Sequence, residues 1–150
     1  MKRIVVTGLL LVLAAAAGAA ELTPEDTVKE YLSALQSGKF DAAYPLVSRG
    51  MTRGKNRDEW VKEQQWVMQV SEAKILDFHV YPGKTQGDKA QVPNLLSSQD
   101  KFLNQLGVDE HELYTLVRED GHWKIDQQEI VEPSHLGDWF PGEGGKKKAE

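Results

Sequence analysis

The chain has 150 residues, with 18 Lys and Arg against 23 Asp and Glu for a net charge of −5, and no cysteine. The missing cysteine excludes disulfides, thiol chemistry and a lipid-modified anchor. An acidic chain is also badly suited to nucleic acid, whose binding rests on Lys and Arg neutralising phosphates. Met1-Lys2-Arg3, an apolar run over residues 4–13 and small-residue sites such as Ala17-Gly18-Ala19 predict a secretory signal peptide over residues 1–20. Its strongly apolar part is shorter than the ~20 residues a span needs, so no stable membrane span is expected after cleavage. Removing it leaves 16 basic against 23 acidic residues, a net −7, in an exported chain that is periplasmic or secreted. Residues 21–133 are expected to form one domain, with residues 134–150 as a flexible tail.

Thr23-Pro24-Glu25-Asp26 predicts a helix start, with Thr23 as cap, Pro24 at the first helical position and acids at the positive dipole end. Val28, Tyr31, Leu32 and Leu35 recur at helical spacing, and Gly38 stops the run, giving a helix over 24–37. Residues 40–48 form a shorter helical piece in which Pro45 implies a bend or an early end. Residues 49–55 read as a loop, and 58–71 as a third helix. On that helix Trp60, Val61, Gln64, Val67 and Met68 share a face, while Trp66 points away.

From Ala73 the period changes to two. Leu76, Phe78 and Val80 alternate with Asp77, His79 and Tyr81, which predicts a half-buried strand. Residues 82–88 are turn chemistry, residues 89–92 begin a second strand, and Pro93 is expected to bulge or end it. Ser97 with Asp100 is placed to cap a short helix carrying Phe102, Leu103 and Leu106, closed by Gly107. Two alternating runs, 110–119 and 122–131, flank Asp120-Gly121, a strong signal for a two-residue hairpin turn. That turn sets Arg118 opposite Trp123, Leu116 opposite Ile125 and Tyr114 opposite Gln127. Tyr114, Leu116, Trp123 and Ile125 then share one face, and Thr115, Val117, Lys124 and Asp126 the other. Three N-terminal helices followed by about four antiparallel strands make an α+β fold, with helices packed on one face of a curved sheet.

The run Leu-Gln-Ser-Gly-Lys-Phe-Asp-Ala-Ala-Tyr at 35–44, with Leu-Val-Arg-Glu-Asp-Gly-His-Trp-Lys-Ile at 116–125, resembles the nuclear transport factor 2-like superfamily. It is most similar to small exported bacterial domains of unknown function within that group. The resemblance covers most of residues 24–131. It implies a cone: a strongly curved antiparallel sheet, a half barrel, wraps the first helix and leaves a pocket at its open end. It also implies a choice among isomerases, dehydratases and cyclases on one side, and non-catalytic binding domains on the other.

Catalysis in such a pocket requires ionisable residues on the inward faces. Asp77 and His79 share a face, but the opposite one to Phe78 and Val80, so an acid–base pair there would point outward. Asp126 fails likewise, since Trp123 and Ile125 take the inner face. His79, His111, His122 and His135 have no metal-ligand spacing, no glycine loop cradles phosphate, and no cofactor is implied. Tyr31, Gln64, Tyr114 and Trp123 are the candidate ligand-binding residues, an apolar lining with polar tips; core packing explains the same four residues. Trp66 is either an interface anchor or a packing residue against 40–48. The expectation is a non-catalytic domain that binds a small hydrophobic ligand or a protein partner. The alternative is an isomerase, dehydratase or cyclase with His111, Glu129 or Asp77 in the cavity. A third reading is a homodimer through Thr115, Val117, Lys124 and Asp126.

Overall fold

A computed structural model describes residues 20–102 and 105–143. Helix α1, Pro24–Gln36, starts where the sequence predicts, with the Asp26 N–H donating to Thr23 Oγ1 at 3.1 Å. A four-residue helix α2, Phe40–Ala43, passes at Pro45 into a 3-10 turn, Tyr44–Leu46. The expected loop at 49–55 holds a short helix α3, Arg49–Thr52, because Ser48 Oγ accepts from the Met51 N–H at 2.9 Å and caps it. Helix α4, Arg57–Ser71, is started by a capping box between Asn56 and Glu59.

Five strands follow: β1 Lys74–Val80, β2 Lys84–Gln86, β3 Lys89–Gln99, β4 Val108–Glu119 and β5 His122–Ile130. The sheet is antiparallel in the order β1-β3-β4-β5, with β2 continuing the β1 edge of β3. Helices pack on its inner face against Val92, Leu96, Tyr114, Leu116, Trp123 and Ile125. The fold is the expected α+β arrangement on a curved sheet, with one short strand more than anticipated.

Several local expectations change for identifiable reasons. Leu76 is half exposed rather than inward, because a bulge between Ile75 and Asp77 sets two residues against one. Gln36 Nε2 donates to the Ile75 and Leu76 carbonyls at that bulge, at 3.3 and 3.1 Å. Pro93 neither bulges nor ends β3. Its carbonyl accepts from the Tyr81 N–H at 2.9 Å, so its ring nitrogen faces the same edge, where β1 has already ended and the sheet loses no β3–β4 bond. Ser97 and Ser98 pair with Asp109 and Val108 as strand, so Ser97 caps no helix; Leu103 of the expected helix lies outside the described residues.

The hairpin turn forms with positive φ at Asp120 and Gly121, and Arg118 and Leu116 face Trp123 and Ile125 as predicted. Beyond them the register slips: Tyr114 faces Gln128, not Gln127, because Asp126 bulges out of β5. Asp126 accepts from Ser48 Oγ at 2.5 Å, and the Lys124 ammonium donates to the Pro45 carbonyl. Two of the four residues offered for an outer-face dimer are thus engaged within the chain.

Past Pro133 the chain does not leave the domain. A 3-10 turn, Pro133–His135, and a four-residue helix α5, Leu136–Trp139, carry Phe140 onto the outer face of the sheet, where it is 1% exposed beside Leu113 and Val131. The boundary expected at residue 133 therefore moves to at least Phe140, since one buried aromatic and a short apolar turn outweigh the turn-rich composition. The expected signal segment, apart from Ala20, and the tail from residue 144 lie outside the described residues. Among the described residues no helix is long and apolar enough to cross a membrane.

Trp66 is 63% exposed, and it is Trp60 that packs against Tyr44, at 5.8 Å between ring centres. Trp66→Gln is therefore expected to change the free energy of urea unfolding by less than about 0.5 kcal/mol. A loss above about 1 kcal/mol would place Trp66 in the core after all.

Candidate functional site

The inner face of β5 is buried at Trp123 and Ile125 but open at Gln128 and Ile130, beyond the Asp126 bulge. Gln128 and Ile130 form the exposed corner of this face. Directly opposite Ile130 stands Glu112 of β4, two residues before Tyr114 and so on the same inward face. It is 1% exposed, unusual for a carboxyl. Its neighbours explain how it is tolerated. Glu112 Oε2 accepts from Asn94 Nδ2 at 2.9 Å and from the Tyr114 hydroxyl at 3.0 Å, and Oε1 accepts from Gln128 Nε2 at 2.6 Å. Asn94, from β3, is the direct cross-strand partner of Glu112.

Burial pushes the Glu112 carboxyl above its ordinary range, against the pull of its three donors, and Glu110 two residues away adds to the rise. Tyr31 of α1 stands edge-on to Tyr114 with ring centres 6.3 Å apart. Burial first, and then the Glu112 charge, raises both phenols well above their ordinary value. At neutral pH both therefore stay protonated. One atom remains unmatched: Asn94 Oδ1 is buried and meets no donor of the protein.

The four predicted lining residues are not brought together. Tyr31 and Tyr114 belong to this cluster. Trp123 lies instead under the Arg118 guanidinium, 4.6 Å above its ring, and lines a 150 Å³ cleft with Leu22, Pro45 and Leu46. Arg118 is fixed there by Glu21 Oε1 at 2.7 Å. Gln64 is half buried on α4 and is not among the residues lining that cleft. Asp77 and His79 sit with Asp109 along a 260 Å³ groove on the outer face, away from the cone. His111 also faces outward, against Phe140. Among the described residues no three His, Asp or Glu side chains converge as a metal site requires.

Glu112, Asn94 and Gln128 were the residues that sequence reasoning passed over. The signal for the first was available: extending the Tyr114-Leu116 parity two residues back puts Glu112 inside. Asn94 follows only from the β3–β4 register, and Gln128 only from the Asp126 bulge. Neither is visible in residue spacing.

No family model and no curated protein matches the chain by sequence. Solved structures do match. A SEC-C motif containing protein from Rhodopseudomonas palustris aligns at TM-score 0.56 and 15% identity, over 73% of this chain and 79% of that one. A proposed ketosteroid isomerase from Shewanella frigidimarina aligns at TM-score 0.53 and 18% identity, over 73% and 95%. Bd1075 of Bdellovibrio bacteriovorus aligns at 0.51 and 14% over 69% of this chain, which spans only 38% of that protein. Structures described as NTF2-like, and as cystatin-like-fold domains, are among the other matches. At these identities the likeness is one of architecture: the chain shares an α+β fold, helices packed on a curved antiparallel sheet, with these structures.

Proposed function

We propose that the protein is an exported, non-catalytic binding domain whose cone admits a small hydrophobic ligand bearing one hydrogen-bond donor, entering at the Gln128 corner. Asn94 Oδ1 carries this reading. An unmet buried acceptor costs about 1–3 kcal/mol, and a ligand hydroxyl or N–H placed against it removes that cost. Tyr114 shares the Glu112 Oε2 acceptor with Asn94, and Tyr31 stands edge-on to Tyr114, so two aromatic rings flank the cluster. Gln128 is exposed and acts as the movable piece: when it swings away, Glu112 keeps Asn94 and Tyr114 as donors. Catalysis is disfavoured because the Glu112 oxygens already accept three hydrogen bonds and both phenols hold their protons. Export rests on residues 1–20.

The test is a fluorescence titration with N-phenyl-1-naphthylamine, a neutral, apolar probe with one N–H. We expect saturable one-to-one enhancement with the wild type, tighter binding by Gln128→Ala and at least tenfold weaker binding by Asn94→Ala. A tenfold loss corresponds to about 1.4 kcal/mol, one hydrogen bond's worth. No saturable signal from either the wild type or Gln128→Ala would overturn the reading.

The raised carboxyl inside the cone favours one rival, an isomerase, dehydratase or cyclase in which Glu112 exchanges a proton with a hydrophobic substrate. Under that reading Glu112→Gln abolishes turnover. Under ours it leaves probe binding within a few-fold of wild type.

A further inference from the structure

We infer that the second half of β5 is a docking edge for an extended, basic segment of a partner protein, which adds to the sheet as an antiparallel strand. β5 is the last strand in the order β1-β3-β4-β5, so one of its sides has no strand neighbour. Which backbone groups face that side follows from one bond. The Val131 N–H donates to the His111 carbonyl at 2.7 Å, so residue 131 turns its backbone towards β4. By the period of two, Glu129 and Gln127 turn the same way, opposite Leu113 and Thr115. Gln128 and Ile130 therefore turn their N–H and C=O groups outwards. Among the described residues none of these four groups meets a backbone partner.

The first half of the same edge is closed. The Ile125 carbonyl accepts from the Ser48 N–H at 2.8 Å, Val47 bridges to Ile125, and the Lys124 ammonium donates to the Pro45 carbonyl. Folded proteins usually blunt a free edge with lysine, proline, a bulge or a covering loop. Beyond the Asp126 bulge, residues 127–130 are Gln-Gln-Glu-Ile, all four exposed and without lysine or proline. Ile130, on the inner face, is 56% exposed. Glu129, on the outer face, has no ion-pair partner among the described residues. Backbone and charge together select the occupant. Outward N–H and C=O groups two residues apart are matched by an extended chain, the mode of strand addition. A second copy of β5 is a poor match. The register that pairs Gln128 of each copy with Ile130 of the other sets the two Glu129 carboxylates directly opposite, where like charges repel. A partner strand with Lys or Arg at that position, and an apolar residue beside Ile130, meets both exposed side chains. Docking there uses no atom of Asn94 and goes beyond the ligand reading.

The probe is fluorescein-labelled Thr-Thr-Val-Lys-Tyr-Thr-Thr, titrated against the full chain by fluorescence anisotropy. Antiparallel pairing sets its valine against Ile130, its lysine against Glu129 and its tyrosine against Gln128. Saturable binding is expected, and methylating the valine and tyrosine nitrogens, which donate to the edge, weakens it about tenfold or more. Methylating the lysine nitrogen, which points away from β5, leaves binding within a few-fold. Glu129→Lys weakens the lysine peptide about tenfold or more and favours a peptide with glutamate in its place. Ile130→Pro abolishes binding in a variant shown to be folded by circular dichroism, since the N–H it removes faces the edge and not β4. Asn94→Ala leaves peptide binding unchanged, so failure of the ligand reading and failure of this proposal are distinguishable. No saturable binding, or equal loss from methylation at all three nitrogens, overturns the proposal. A wild-type dimer in sedimentation that Ile130→Pro dissociates also overturns it, because the edge then belongs to a second copy.

Discussion

Glu112→Ala is expected to destabilise the domain by about 3–5 kcal/mol, whereas Glu112→Gln costs about 1 kcal/mol. Alanine strands two buried donors, Asn94 Nδ2 and the Tyr114 hydroxyl, and leaves a void between β3 and β5. Glutamine keeps the volume and one acceptor oxygen, and the exposed Gln128 can turn its own carbonyl towards the new amide. Urea unfolding at one pH separates the two variants. Equal losses would show that Glu112 is not the acceptor of this cluster.

The same pair of proteins reports the carboxyl's proton. The folded state holds the Glu112 proton more tightly than the unfolded chain, whose ordinary value is 4.5. Its stabilising contribution is therefore fully present below that value and is lost as pH rises through the folded one. The stability of wild type minus that of Glu112→Gln should fall with rising pH across that window. A difference that rises with pH would mean the donors outweigh burial.

The second large effect is at the start of β2's edge. A Cβ on Gly83 would lie 2.6 Å from the Gln91 carbonyl oxygen and 2.9 Å from Val92 Cγ2. The Gly83 N–H also donates to Glu25 Oε1 at 2.8 Å, tying the first turn of α1 to the sheet. Neither the β3 backbone nor a fully buried valine can move far, so Gly83→Ala should cost about 3 kcal/mol. Gly87→Ala is the control: nothing lies within 4 Å of its added Cβ, and its positive φ alone costs about 1–2 kcal/mol. Thermal or urea unfolding of both variants checks the order. Equal costs would mean that the β1–β2 crossing is looser than the close approach of Gly83 implies.

These results also mark where sequence is a sufficient guide. Helix α1 was legible because cap, proline, acids and apolar stripe all agree, and the hairpin because Asp120-Gly121 sets its own register. What escaped has a common cause. Bulges at Leu76 and Asp126 shift parity by one residue, and no local composition announces them. Pro93 reads as a strand breaker until the neighbouring strand is known to end beside it. Phe140 belongs to a segment with a tail's composition, and only the hollow formed by Tyr81, Leu113 and Val131 gives it a place. The candidate site was half legible: Tyr31 and Tyr114 follow from periodicity, and Glu112 from the same parity carried one step further. Asn94 and Gln128 depend on cross-strand register, which one sequence does not contain.

The most direct measurement is a crystal structure of Gln128→Ala soaked with N-phenyl-1-naphthylamine. Density for the probe inside the cone, its N–H within hydrogen-bonding distance of Asn94 Oδ1 and its rings against Tyr31 and Tyr114, is the predicted result. A lone water on Asn94 Oδ1, with the probe bound elsewhere or absent, would contradict it.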